Sequence, residues 1–110
     1  MTDKRMNFKE FYPYYLNEHS DSTNRLLHFI GTSIVIGIIA FAIYSGEAKY
    51  LWFAPLAGYS FAWIGHFFIE KNKPATFKYP LFSLFSDFLM LFHLVTFQLP
   101  KKIKEAKSIL

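Results

Sequence analysis

The chain has 110 residues, 53% of them hydrophobic and 21% aromatic, and a formal net charge of +4. The absence of cysteine excludes disulfide bonds and thiolate metal sites. The basic residues lie at the chain ends and in short connections, where membrane proteins also keep them, so the charge does not indicate nucleic-acid binding and we expect no nucleic-acid partner. Composition therefore favours a small membrane protein.

The first predicted element is an amphipathic helix over residues 7–19. Its apolar and aromatic side chains recur at intervals of three and four residues, which places them on one helix face. They are Phe8, Phe11, Tyr12, Tyr15 and Leu16. We expect this helix to lie on a membrane surface, with Pro13 either kinking it or marking its first turn.

Three apolar segments follow, at residues 26–44, 50–69 and 80–99. Each is close to the ~20 residues that cross ~30 Å of hydrocarbon, and none has a polar face for water. A chain this short cannot bury three such helices in a soluble core. The prediction is an all-α fold, a single membrane-embedded helical domain over residues 1–110. The bundle has an amphipathic surface helix and three membrane-spanning helices, or four if the last segment is split.

The connections between the segments predict which residues meet. A short polar turn around Gly46 makes the first two spans antiparallel. At 1.5 Å per residue, His28 and His66 then each lie ~6 Å inside the same membrane face. His19 and Glu70 fall at that face as well.

Two ionisable residues lie in the third span. Asp87, ~10 Å into that span, can reach the level of His28 and His66. His93 is ~20 Å from that face and cannot join the cluster unless the third helix is broken or re-entrant.

Ionisable side chains at membrane depth are costly, so their convergence indicates a site. Imidazole nitrogens with carboxylates suit iron, manganese or zinc, and two histidines with one carboxylate form the non-haem iron arrangement. The predicted ligand set is His19, His28, His66, Glu70 and Asp87. Each histidine taken alone is better explained by a hydrogen bond to a backbone carbonyl than by a metal, whereas a lone carboxylate in an apolar run must be neutral, paired or metal-bound.

Two motifs carry a resemblance to a known family. They are FYPYYLNEHSDSTNRLLHFIG at residues 11–31 and WIGHFFIEKNKPATFKYP at residues 63–80. The chain resembles the fungal 2-hydroxy fatty acid dioxygenase (Mpo-like) family and its short bacterial relatives. The positions that carry the likeness are His19, Asn24 and His28 in the first motif, and Gly65, His66, Glu70, Pro74 and Ala75 in the second.

The resemblance implies a multi-span membrane enzyme that depends on Fe(II) and uses molecular oxygen to shorten a 2-hydroxy fatty acid by one carbon. Its essential histidines correspond to His19, His28 and His66, and Glu70 and Asp87 look like further family positions. The implied partners are a fatty-acyl substrate, oxygen and the membrane. The sequence does not fix the oligomeric state.

Two other functions stay open from the sequence. One is a non-enzymatic membrane protein whose histidines and carboxylates form a buried polar network. The other is a zinc-dependent lipid hydrolase. With three spans, seven of the twelve Lys and Arg residues share the membrane side of the predicted site, which favours that side as cytoplasmic. We therefore expect an integral protein of a bacterial inner membrane or the endoplasmic reticulum, with its site facing the cytoplasm.

Overall fold

The structure, a computed structural model, describes residues 6–73 and 78–109. Within these residues it contains helices and no strand. The α-helices are α1 (Phe8–Asn17), α2 (Ser22–Ser45), α3 (Phe53–Ile64), α4 (Pro80–Val95) and α5 (Leu99–Lys107). A 3₁₀ helix, Ala48–Trp52, precedes α3, and a π-helix, Gly65–Glu70, follows it directly. The predicted all-α class is therefore confirmed for the described part of the chain.

The chain divides into two compact units, which are described separately. The first contains residues up to His19 together with the chain from residue 75 onward, and so holds α1, α4 and α5. The second contains residues 20–74, and so holds α2, the 3₁₀ helix, α3 and the π-helix. Pro74 and Ala75, two positions of the second motif, lie outside the described residues.

In the first unit, α1 begins with a reciprocal capping box between Asn7 and Glu10. Pro13 lies inside this helix. The predicted apolar face is the buried face, because Phe11, Tyr15 and their neighbours at helical spacing are inaccessible. Aromatic rings join α1 to α4, and the Asn17 amide donates to a backbone carbonyl of α5.

The last apolar segment is shorter as a helix than the sequence predicts. The predicted span covers residues 80–99, whereas α4 ends at Val95 after 16 residues, or about 24 Å. The Thr96 hydroxyl donates to the Phe92 carbonyl at 2.7 Å, and Phe97 takes a left-handed φ of 62°. Gln98 N–H closes the turn on the His93 carbonyl at 2.8 Å. This local break separates α4 from the basic helix α5.

In the second unit, α2 starts at the N-cap Asp21 and ends at Gly46, whose φ of 72° suits a glycine C-cap. Two close approaches show that α2 and α3 are antiparallel. A Cβ on Gly31 would lie 3.0 Å from the Phe61 Cβ, and one on Gly58 would lie 3.3 Å from Val35. The numbering therefore rises along one helix as it falls along the other.

One helix of the described chain, α2, is both long and apolar enough to cross a membrane. The apolar helix α4 is shorter. The second predicted span, residues 50–69, is divided among the 3₁₀ helix, α3 and the π-helix. The membrane bundle of three or four spans remains a prediction.

Candidate metal centre

Three histidines form a group that can hold a metal ion. His19, His28 and His66 each offer one imidazole nitrogen, and these nitrogens lie within 4.8 Å of one another. All three side chains are buried, with exposed fractions of 1%, 5% and 1%. Three converging imidazoles make a donor set suited to iron, zinc or another borderline divalent metal.

His28 and His66 come from the two packed helical segments of the second unit. His28 lies in α2, two turns after its N-cap Asp21. His66 is the second residue of the π-helix that continues α3. The two rings meet edge to face, with centroids 5.1 Å apart and an interplanar angle of 83°. The depth count along antiparallel helices predicts this proximity.

The π-helix changes the backbone geometry around His66. Its wider turn replaces the α-helical geometry over Gly65–Glu70 and ends at Lys71, whose φ of 60° is left-handed. Such segments are rare and occur frequently at functional sites. Asn72 N–H then donates back to the His66 carbonyl at 2.9 Å, which joins the residue after the turn to the histidine inside it.

Two of the histidines have a hydrogen bond at Nδ1. His66 Nδ1 lies 2.7 Å from Oδ1 of Asn72. His19 Nδ1 lies 2.7 Å from the backbone carbonyl oxygen of Tyr15, one turn earlier in α1. The Tyr15 and His19 rings also pack together, with centroids 4.1 Å apart.

Asn24 lies one helical turn before His28 and is completely buried. A Cβ on Gly65 would overlap the Asn24 Oδ1 and lie 2.8 Å from its Cγ. The amide of Asn24 therefore occupies the space that a side chain at position 65 needs. Within the described residues its Oδ1 has no hydrogen-bond partner, while its Nδ2 donates to Glu70 at 3.4 Å.

Glu70 is the last residue of the π-helix, and its side chain contacts the residues that precede α2. It is not a member of the histidine group. Its carboxylate accepts hydrogen bonds from the Asp21 backbone N–H at 2.6 Å and from the Ser20 hydroxyl at 3.1 Å. An acidic group is stabilising beside the exposed N–H groups of a helix N-terminus. A role of Glu70 as a metal ligand stays a prediction.

Asp87 is also outside the histidine group. Its carboxylate accepts a hydrogen bond from the Tyr15 hydroxyl. Burial, and then the neighbouring Asp87 carboxylate, raise the pKa of the Tyr15 phenol well above its ordinary value. The phenol therefore stays protonated and acts as a donor. Ligation by Asp87 stays a prediction as well.

The fourth histidine, His93, does not belong to the group. It is buried on α4, and its Nδ1 lies 2.7 Å from the Tyr12 hydroxyl of α1. The separation of His93 from the other histidines, which the depth count predicts, stays a prediction.

No sequence pattern indicates that Asn72 or the Tyr15 carbonyl contacts a histidine of the site. A separation of six residues between His66 and Asn72 matches no α-helical face, so spacing gave no signal. The contact depends on the π-helix and on the left-handed residue after it. The carbonyl of Tyr15 cannot be identified from any side-chain pattern.

Comparison with known proteins gives one match. A sequence model of the Mpo1-like family, described as 2-hydroxy-palmitic acid dioxygenase Mpo1-like, matches residues 5–99. No curated protein and no solved structure matches the chain. The match covers the two motifs and all three histidines of the group, and we conclude that the chain belongs to the Mpo1-like family.

Proposed function

We propose that this protein is a membrane-bound, iron-dependent dioxygenase that shortens 2-hydroxy fatty acids by one carbon. The observation that carries the proposal is the buried group of three histidines in a chain whose family is described as 2-hydroxy-palmitic acid dioxygenase Mpo1-like. A name alone gives no site, and three histidines alone give no reaction. Together they define a candidate metal centre and a candidate chemistry.

The residues present fit a ferrous ion. His19, His28 and His66 would hold it through one nitrogen each, and three protein ligands leave coordination positions open. When bound, ferrous iron supplies a Lewis acid and a site for oxygen. Imidazole ligands are neutral, so this group adds no negative charge to balance a divalent cation. The carboxylate of a 2-hydroxy acid would supply that charge, which favours an anionic substrate.

The overall reaction balances with oxygen as the oxidant. A 2-hydroxy acid and one O₂ give the acid shortened by one carbon, carbon dioxide and water. The bond between C1 and C2 breaks, C1 leaves as carbon dioxide, and C2 becomes the new carboxyl carbon. The two carbons lose four electrons and O₂ gains them, so the reaction needs no external reductant.

The surface of the helices supports a membrane location. Large apolar side chains point outward on α2, the π-helix and α4, including Ile43 at 77%, Phe68 at 73% and Leu81 at 78% exposure. Exposed apolar surface of this extent marks contact with lipid or with another protein. We propose that these surfaces face lipid, and that the site faces the cytoplasm. A substrate with a long acyl chain would then reach the site from the bilayer.

The metal content of the purified protein tests this proposal. The intact chain, His66→Ala and His93→Ala are purified in detergent without oxygen, supplied with ferrous iron, and analysed by elemental mass spectrometry. We expect near-stoichiometric iron in the intact protein and in His93→Ala, and loss of most iron in His66→Ala. His93→Ala is the matched control because His93 is also a buried, hydrogen-bonded histidine.

The loaded protein is then assayed for oxygen-dependent shortening of 2-hydroxypalmitate. Bound zinc with turnover that needs no oxygen would replace the proposal with lipid hydrolysis. A folded intact protein that binds no metal, together with unfolding of His66→Ala, would instead indicate a structural network of polar side chains.

A further inference from the structure

The hydrogen bond between His66 and Asn72 determines which nitrogen of His66 can bind a metal. An amide oxygen accepts hydrogen bonds and cannot donate them. With Oδ1 of Asn72 at 2.7 Å, the proton of a neutral His66 imidazole lies on Nδ1. Its lone pair, the part of the ring that binds a metal, is then on Nε2.

His19 follows the same rule through a different acceptor. Its Nδ1 lies 2.7 Å from the backbone carbonyl of Tyr15, which can only accept. The lone pair of His19 is therefore also on Nε2. His19 and His66 therefore each have an oxygen acceptor at Nδ1.

We propose that Asn72 is a positioning residue that keeps the proton of His66 on Nδ1, so that His66 binds the metal through Nε2. This inference rests on the proposed metal site. Partners of this kind fix the tautomer and the orientation of a metal-binding histidine, and their loss typically lowers metal affinity 10–100-fold.

The local backbone makes this role separable from folding. Asn72 is attached to His66 twice, by its side chain and by its backbone N–H, which donates to the His66 carbonyl at 2.9 Å. Asn72→Ala removes the first contact and keeps the second. Asn72→Asp keeps an acceptor oxygen at the same place. Lys73→Ala, at an exposed neighbouring position, is the matched control.

The first measurement is the tautomer of each histidine in the metal-free protein, read from nitrogen-15 NMR spectra of the detergent-solubilised chain. We expect a proton on Nδ1 of both His19 and His66 in the intact protein, in Asn72→Asp and in Lys73→Ala. In Asn72→Ala we expect His66 to move towards the Nε2–H form, which imidazole prefers in water. His19 should not change, because its acceptor is a backbone carbonyl.

The second measurement is the affinity for ferrous iron, titrated without oxygen. Asn72→Ala should bind 10–100-fold more weakly than the intact protein, whereas Asn72→Asp and Lys73→Ala should stay close to it. A proton on Nε2 of His66 in the intact protein would overturn the inference. An affinity of Asn72→Ala for ferrous iron equal to that of the intact protein would also overturn it. Loss of the Nδ1–H form of His66 in Asn72→Asp would do the same.

These outcomes are distinct from failure of the proposed function. If the intact protein binds no iron but His66 carries its proton on Nδ1, the proposed metal site is wrong, while the hydrogen bond from His66 to Asn72 is supported. A protein that binds iron equally well with and without the Asn72 side chain upholds the metal site and overturns this inference.

Discussion

At the scale of single residues, the packing of Asn24 against Gly65 connects the two histidines of the second unit. Asn24 shares a helix face with His28, and Gly65 directly precedes His66. The space beside Gly65 is filled by the Asn24 amide. The absence of a side chain at position 65 therefore lets α2 approach the π-helix closely enough for the two imidazoles to meet.

Gly65→Ala should destabilise the protein and weaken metal binding. The new methyl group would overlap the buried Asn24 amide, and overpacking of this kind costs about 1–3 kcal/mol. Gly37→Ala is the matched control, because a Cβ there meets nothing within 4 Å. Because Gly37 lies inside α2, its replacement by alanine should raise the free energy of unfolding of the protein by about 0.5–1 kcal/mol.

Thermal unfolding in detergent, followed by circular dichroism, measures both variants. The expected result is a lower midpoint for Gly65→Ala and an equal or higher midpoint for Gly37→Ala. An unchanged midpoint and unchanged iron affinity in Gly65→Ala would show that Asn24 moves aside without cost.

The residues of the site differ in how far the sequence reveals them. Depth along antiparallel helices predicts that His28 and His66 meet, because it requires only the rise per residue and a short connection. Asn72 could not be predicted in this way, because its contact with His66 follows from a π-helix and one left-handed residue. Sequence periodicity reports regular helices and does not report such irregular turns.

At the scale of helices, Glu70 joins the end of the π-helix to the start of α2. Its carboxylate accepts from the Asp21 N–H and the Ser20 hydroxyl, while Asp21 itself caps α2 through Thr23. These bonds link the ends of the two segments that carry His28 and His66. They indicate a role for Glu70 in fixing where the two helices meet.

The variants Glu70→Gln and Glu70→Ala separate this role from metal ligation. Glutamine keeps an acceptor oxygen and loses the charge beside the helix N-terminus, which costs about 0.3–1 kcal/mol. Alanine also loses the hydrogen bonds, each of which contributes about 0.5–1.5 kcal/mol. We expect the free energy of unfolding to be lower in Glu70→Gln than in the intact protein, and lower still in Glu70→Ala. The iron affinity of Glu70→Gln should stay close to that of the intact protein.

Chemical unfolding in detergent and anaerobic iron titration measure the two quantities on the same samples. If Glu70→Gln keeps its stability but loses most of its iron, Glu70 is a ligand, as the sequence predicts, and the capping role is secondary.

The helices themselves were predictable to different degrees. The apolar face of α1 follows from side-chain spacing, and the apolar segment predicted at residues 26–44 lies within the longer helix α2. The end of α4 at Val95 does not, because Thr96 and Phe97 stop the helix through a hydroxyl bond and a backbone angle. Phe97 and Leu99 are apolar, so composition alone extends the segment too far.

At the scale of the whole molecule, the proposed membrane location would account for the exposed apolar surface. The middle and the end of α2 both present large apolar side chains, with Ile34 exposed to 39% and Ile43 to 77%. In water, both positions would accept a charged residue at little cost. In a bilayer, a lysine in the middle of a span costs about 2.5–3.5 kcal/mol, whereas one near its end can extend its ammonium group to the interface.

Ile34→Lys and Ile43→Lys therefore form a matched pair that tests membrane insertion of α2. We expect the intact protein and Ile43→Lys to stay in the membrane pellet after alkaline carbonate extraction, and a substantial part of Ile34→Lys to be lost from it. The difference arises from depth alone, because the two substitutions add the same charge to the same helix. Release of the intact protein by carbonate, or equal retention of all three proteins, would show that the centre of α2 does not lie in hydrocarbon.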